Sequence, residues 1–290
     1  MAELTAIQSA ETLAALRALA EREPRLATPC RDRFARNFLC RKSRLLLDLA
    51  PRRFLRALIE RAAPGSYGFA IARTRHFDEA LLSALHDGAR QVVILGAGYD
   101  SRAFRFRDEL AGVRVLELDH PGTQARKIAL LAASNTALPE NVSLIGIDFA
   151  KRSFRRVLAR NGFDRTAKTV FLWEGVSYYL PLKAVDDVLS FVAACAPGST
   201  IVFDYALQSF VDGDTSTFGG EAVARWLRKI GEPFLFGLEP TNAQRFLSKR
   251  GLRITTHVGP ADLERLYLAT QHGGLLGRTL GHVRIITARN

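Results

Sequence analysis

Residues Gln91–Phe106 read QVVILGAGYDSRAFRF. A run of five apolar or β-branched positions enters Gly96-Ala97-Gly98 directly, and a helix-like pattern follows. That is a strand turning into a helix through two glycines, which permit a tight turn and bring bare backbone close to a ligand. A glycine pair alone is common in strand-to-helix turns, so its neighbours decide its meaning. The dinucleotide pattern G-x-G-x-x-G requires a third glycine, which lets the helix end approach a pyrophosphate; Ser101 stands there instead. Asp100 lies beside the turn, where it would repel a phosphate and tolerate an ammonium group. It is equally placed to cap the helix, and the two roles are compatible.

Moving outward, the next strand ends VRVLELDHPG. Asp119 follows Gly98 by 21 residues, close to the ~20-residue spacing of a carboxylate that accepts ribose hydroxyls. Glu117, two residues earlier, would face the same side of the strand; Asp119 is nearer the strand end and is the favoured candidate. The third strand ends LIGIDFA, placing Asp148 to accept from an adenine amino group and Phe149 to pack on the ring. Acids at successive strand ends, without a phosphate-binding glycine, are compatible with a cofactor that carries an adenosine but no phosphate, as S-adenosylmethionine (SAM) does.

Strands are expected at Gln91–Leu95, Val113–Leu118, Val142–Ile147, Thr169–Trp173, Thr200–Tyr205, Leu252–Val258 and His282–Ala288. The first five alternate with helical patterns, which argues for parallel strands joined by right-handed crossovers. The expected fold class is therefore α/β, a doubly wound, seven-stranded Rossmann-like sheet. Residues 1–90 carry helical patterns and form a helical cap; residues 91–290 form the core, and the whole chain is one domain. The polar, glycine-rich stretch Val211–Gly220 reads as a loop, followed by the helix EAVARWLRKI. This insertion after the fifth strand, at about 207–240, is positioned to act as a lid over the carboxyl ends of the strands.

The 290 residues carry a net charge of +12, with 41 basic residues of which seven are lysine. Such a balance raises nucleic-acid binding as a possibility to be weighed, but the basic residues are dispersed. Their densest run, Arg41–Arg61, is interleaved with leucines at helical spacing. It reads either as a solvated helix face or as a surface for an anionic partner. No apolar stretch is long enough for a membrane span, and the N-terminus has no signal-peptide pattern. Cys30, Cys40 and Cys195 form no C-x-x-C pair and no cluster with histidine, so neither a disulfide framework nor a metal site is expected and a cytoplasmic setting is.

Taken together, LGAGYDSRAFR, ELDHP, IDF and WEGVSYYLP resemble the class I SAM-dependent methyltransferases of the leucine carboxyl methyltransferase group, to which bacterial polyketide O-methyltransferases of the tetracenomycin type belong. ARTRHFDEALLSAL and GEPFLFGLEPTNAQRFLSKRGLRI extend the resemblance over residues 65–290; the latter is more typical of the small-molecule branch. The N-terminal section matches loosely, through RDRFARNFL. The resemblance implies that Arg73 grips the SAM carboxylate and that Gly96 and Gly98 form the turn under its methionine part. It likewise implies Asp119 on the ribose, Asp148 and Phe149 on the adenine, Glu174 near the methionine end, and Tyr179 facing the reaction site, with Tyr178 adjacent.

Methyl transfer from a sulfonium is an in-line displacement that needs positioning and exclusion of water. The expected partner is a small-molecule acceptor methylated on a carboxylate or hydroxyl, aromatic or polyketide-like. Phe218, Trp226, Phe234 and Phe236 of the insertion are candidates to line it, or to pack the lid onto the sheet. A carboxylate needs no base, whereas a hydroxyl would benefit from one; His76 and His120 are candidates by position only. Methylation of base amines usually employs an Asp/Asn-Pro-Pro-aromatic motif after the fourth strand. WEGVSYYLP lacks it, which speaks against nucleic acid; protein carboxyl methylation remains the other use of the same site.

Overall fold

The computed structural model describes residues 2–21, 23–149 and 153–290, apart from the side chains at 2–6 and 8. Four helices open the chain: α1 (Ala2–Ala20), α2 (Arg41–Leu49), α3 (Arg52–Ala62) and α4 (Ser66–His86). Strand β1 (Gln91–Leu95) leads through the glycine turn into the short α5 (Arg102–Arg105). Next come β2 (Arg114–Asp119), α6 (Pro121–Ala133), β3 (Val142–Gly146), α7 (Phe154–Arg160), β4 (Thr169–Trp173), α8 (Leu182–Ala193) and β5 (Thr200–Ala206). The insertion holds α9 (Gln208–Val211) and α10 (Gly220–Ile230). The chain closes with α11 (Ala243–Ser248), β6 (Arg253–Val258), α12 (Pro260–Tyr267) and β7 (Val283–Arg289).

The strands form one sheet in the order β3-β2-β1-β4-β5-β7-β6. The first five are parallel; β7 is antiparallel to both β5 and β6. Each expected strand is present, within a residue at either end. The continuous burial of β1, β4 and β5 follows from helices covering both faces of a parallel sheet. The two-residue period of a strand splits the core. Val92, Ile94, Val170 and Leu172 face α4 and α12 with Phe77, Leu81 and Leu263. Val93, Leu95, Phe171 and Trp173 face α8 and α11 with Val185, Leu189 and Leu247.

Helix α4, which the sequence groups with the cap, is thus part of the sheet's own cover, with Phe77 and Leu81 fully buried. Chain order reverses at the β1/β4 boundary, where a doubly wound sheet opens a crevice at the carboxyl ends of its strands. Among the described residues no helix is long and apolar enough to cross a membrane.

Candidate functional site

At the carboxyl end of β1, Gly96 and Gly98 have φ of +71° and +48°, the left-handed region that side chains disfavour. Gly96 is also sterically required, since a Cβ there would lie 2.3 Å from Val176 Cγ2. Gly98 has more room, its nearest such contact being Ala10 of α1 at 3.5 Å; its constraint is conformational. The N–H groups of the turn are directed inward. Gly96 and Ala97 donate to Leu118 O at 2.8 and 3.0 Å, and Asp100 donates to Ala97 O at 2.8 Å. Gly98 donates to Asp119 Oδ2 at 2.5 Å, and Arg102 donates to Asp100 Oδ1 at 2.7 Å. A phosphate cradle needs successive N–H groups aimed at the ligand; here protein acceptors take these five.

Asp119 braces this turn. Its second oxygen accepts from His120 N at 2.6 Å, and burial raises its pKa against the pull of these donors. Glu117, the alternative carboxylate, is fully enclosed and ion-paired with Lys127; Lys127 Nζ also donates to Asp100 O at 2.7 Å. Asp148 and Phe149 are half-buried just beyond β3, Phe149 against the second core layer.

Beside the turn lies a chain of alternating charges. Asp204 of β5 accepts from Gly175 N at 2.7 Å and from Arg73 Nη1 at 3.0 Å. Arg73 Nε is 3.0 Å from Glu174 Oε1, yet it is buried without an aligned hydrogen-bond acceptor. Glu174 Oε2 is 2.7 Å from Arg102 Nη2. Arg102 also pairs with Asp100 and, at 2.8 Å, with Asp78. Asp78 in turn holds Arg105 at 2.6 Å. Ser101 links Arg105 to Asp32, donating to its Oδ2 at 2.8 Å, and Arg17 of α1 is 2.9 Å from the same oxygen. Arg17 closes the chain on the glycine turn, donating to Tyr99 O at 2.6 Å. Burial alone would raise the carboxyl pKa of Glu174, but Arg102 and Arg73 outweigh it and hold it below the ordinary range. For Asp204 burial wins, and its pKa is raised.

Arg73, Gly96, Asp100, Arg102 and Glu174 line a cavity of about 60 Å³, which Ala10, Leu13 and Arg17 of α1 also line. The structure therefore gathers Arg73, Gly96 and Glu174 around one space; Gly98 and Asp119 do not line it and meet each other in the adjoining turn. Sequence reasoning passed over Asp204, Arg102, Asp78 and Arg17. The available signal for Arg102 and Arg105 was their place in DSRAFR, on the face of α5 turned to the cavity.

The far side of Arg73 is different in kind. Tyr178 and Tyr179 form a one-turn helix after β4. A Cβ at Gly175 would lie 3.1 Å from Arg73 Nη1 and 3.7 Å from the Tyr178 hydroxyl, so that hydroxyl belongs to the arginine's surroundings. Tyr179 packs on Phe234, with ring centroids 5.1 Å apart. Burial, then the charge of Glu232, raise the Tyr179 phenol pKa. Glu232, another residue passed over, has its own carboxyl pushed up by burial.

Of the four aromatic residues expected in the lid, Phe234 alone packs its ring on this tyrosine pair; Phe236 meets it through the backbone, donating its N–H to Tyr178 O at 3.2 Å. Phe236 is buried beside Phe246, Phe218 packs under the Arg278 guanidinium, and Trp226 faces an outer groove. The histidines also lie elsewhere: His76 Nδ1 is 3.0 Å from the Tyr267 hydroxyl, and His120 caps α6 by accepting from Gly122 N.

The sequence profile described as leucine carboxyl methyltransferase matches residues 10–193. The chain belongs to that family. YktD of Bacillus subtilis, classed among SAM-dependent methyltransferases, is 32% identical over 206 residues, covering 71% of this chain and 67% of YktD. A Mycobacterium avium protein of the same class is 35% identical over 191 residues, covering 63% of this chain and 61% of its own length. The family member is an SAM-dependent methyltransferase, and SAM is its cofactor. Its fold is shared by a Thermobifida fusca protein classed as a methyltransferase, at a TM-score of 0.59 and 18% identity, covering 96% of this chain and 94% of that one. A Streptomyces avermitilis protein of the DUF574 family shares it too, at a TM-score of 0.58 and 14% identity, covering 82% and 90%.

Proposed function

We propose that this methyltransferase acts on an oxygen, carboxylate or hydroxyl, of a small apolar acceptor with aromatic or polyketide-like character. The supporting observation is the pairing of two unlike surfaces across Arg73: an acid-rich ionic cluster on one side and a wall of Tyr178, Tyr179, Phe210 and Phe234 on the other.

The donor set fits SAM. Five carboxylates (Asp32, Asp78, Asp100, Glu174, Asp204) face four arginines (Arg17, Arg73, Arg102, Arg105). The surplus negative charge complements a ligand carrying an ammonium and a sulfonium against one carboxylate. Arg73 Nε, ion-paired with Glu174 but without an aligned hydrogen-bond acceptor, is the donor assigned to that carboxylate. In this reading Arg73 and Glu174 hold the methionine end over the turn of Gly96 and Gly98. Asp119 accepts from the ribose, and Asp148 and Phe149 hold the adenine. When bound, the cofactor supplies an electrophilic methyl group.

Ligand pockets run from about 300 Å³ upward, so the site opens to admit the cofactor, and α1, which lines the cavity, is the element proposed to move. Tyr179 and Phe234 then orient the acceptor and exclude water. A carboxylate acceptor needs no base. For a hydroxyl, Glu232 is a half-buried acid whose charge reaches Tyr179. The chain works as one catalytic unit, with α1 to α3 as the cap and the insertion around α10 as the lid. A reducing cytoplasm suits its free thiols at Cys30, Cys40 and Cys195.

Incubation with labelled SAM and pooled aromatic acids and phenols tests the acceptor class. The expected product is an alkali-labile ester or a stable ether. Label on RNA or on a protein side chain, with every small acceptor inert, would overturn it.

A further inference from the structure

Residues 41–62 read RKSRLLLDLAPRRFLRALIERA, with seven cationic side chains against Asp48 and Glu60, a net of +5. Both acids are engaged within the protein: Asp48 accepts from Arg36 at 2.6 Å, and Glu60 accepts from Gly65 N at 3.0 Å. The segment folds as α2 and α3, joined at Ala50-Pro51. Leu55 anchors it, buried against Leu16, Leu19 and Tyr67, with Leu47 and Ile59 partly packed.

The outer face has the opposite character. Leu45, Leu46, Leu49, Phe54 and Leu58 are 53–74% exposed. Leu46 and Leu58 lie on different helices yet line the same groove with Trp226, so the apolar surface is continuous across the hairpin. Monomers rarely expose such a patch without using it. Arg41, Lys42, Arg52, Arg53 and Arg61 are exposed on the same two helices.

We infer that the α2–α3 hairpin docks the enzyme on an anionic lipid bilayer, leucines and Phe54 entering the headgroup boundary and the arginines meeting lipid phosphates. An apolar helical face bordered by arginines is the chemistry of interfacial helices. The charge argues against a second copy of the chain, because mating this face with itself would oppose +5 to +5. Docking would also set the groove between α1, α3 and α10 at the membrane, where apolar compounds concentrate. The inference stands independently of the acceptor assignment.

Co-flotation of the full chain with vesicles tests it. Binding is expected with phosphatidylcholine vesicles containing about 30% phosphatidylglycerol, and not with phosphatidylcholine alone. About 0.5 M NaCl should weaken it by screening. The double variant L49E/F54E should lower partitioning about tenfold or more while keeping the wild-type melting temperature and affinity for S-adenosylhomocysteine. R41E/R53E should do the same through charge. Trp173 is buried and Trp226 exposed, so a blue shift of tryptophan emission with anionic vesicles, absent in W226F, gives a second readout. The proposal is overturned if anionic vesicles leave the protein at the bottom of the gradient, or if both double variants float like wild type. It is equally overturned if inorganic phosphate competes at low concentration, or if L49E/F54E instead converts a dimer to a monomer.

Discussion

Arg73 separates two halves of the site that are built on different physics. Toward the glycine turn, stabilisation comes from alternating arginines and carboxylates at 2.6–3.0 Å. Toward α10 it comes from rings: Tyr178 on Phe234 at 4.3 Å between centroids, Tyr179 on Phe234 at 5.1 Å. Ionic partners demand particular residue types at particular places, because a buried charge left unpaired is costly. Ring packing tolerates many solutions of similar volume. The ionic side, proposed to hold the cofactor, is therefore rigidly specified, and the aromatic side, proposed to meet the acceptor, can be varied without disturbing it. Substitutions on the two sides of Arg73 should accordingly separate cofactor binding from turnover.

The sharpest break should come at Gly96. Gly96→Val places a branched side chain into Val176 at a backbone angle it resists. Binding of S-adenosylhomocysteine should fall below calorimetric detection, with a lowered melting temperature. Gly98→Val should also abolish binding, through its φ alone. Retained affinity in both would remove the turn from the site.

Next is Arg73. Arg73→Ala leaves Asp204 and Glu174 without their shared partner, and unfolding free energy should drop by about 3–5 kcal/mol, the cost of breaking a buried pair. Arg73→Lys keeps the charge but cannot span both acids, so it should still bind less tightly than wild type. Arg75→Ala, two residues on, removes a pair with exposed Glu79, a hydrogen bond to Thr28 O and a contact over the Tyr267 ring, and should cost less, about 1–2 kcal/mol. Similar losses for Arg73→Ala and Arg75→Ala would show that the network has no special weight.

This contrast explains what could be read in advance. Each strand was legible because β-branched runs bounded by turns repeat seven times. That Gly96 and Asp119 stand at strand ends was legible because strand ends in a doubly wound sheet open on its crevice, whereas Glu174, which lines the same cavity as Gly96, was singled out only through the family resemblance. Asp204 was not legible, since it sits inside a strand and reads as an isolated polar residue in TIVFDYA; its partner is 131 residues away. The lid aromatics stayed open between two roles for a related reason. Phe218, Phe234 and Phe236 are equivalent as residue types, and only packing decides that Phe236 turns into the core while Phe234 reaches Tyr179.

Asp119→Ala is expected to weaken S-adenosylhomocysteine binding by about 1.5–3 kcal/mol, the range for a hydrogen bond to a charged group. It also releases the N–H of Gly98 and His120, so circular dichroism should accompany the titration. Native-like spectra with unchanged affinity would reject the ribose assignment. Glu117 could not simply replace it, being committed to Lys127.

The smallest expected effect tests the boundary itself. Tyr178 and Tyr179 are adjacent and packed on one another, with centroids 5.0 Å apart, yet they belong to different halves. The Tyr178 hydroxyl lies by Arg73, whereas Tyr179 lies against Phe234 and within reach of the Glu232 charge. A hydrogen bond from either hydroxyl to a bound ligand would be worth about 1 kcal/mol, roughly a factor of five. Tyr179→Phe should spend that loss on kcat or acceptor KM and leave S-adenosylhomocysteine affinity unchanged. Tyr178→Phe should move cofactor affinity as well, because it alters the setting of Arg73. Steady-state kinetics beside calorimetry distinguishes the two. If Tyr179→Phe shifts cofactor affinity and Tyr178→Phe does not, the boundary runs on the other side of this pair, and Tyr178 becomes the residue that meets the acceptor.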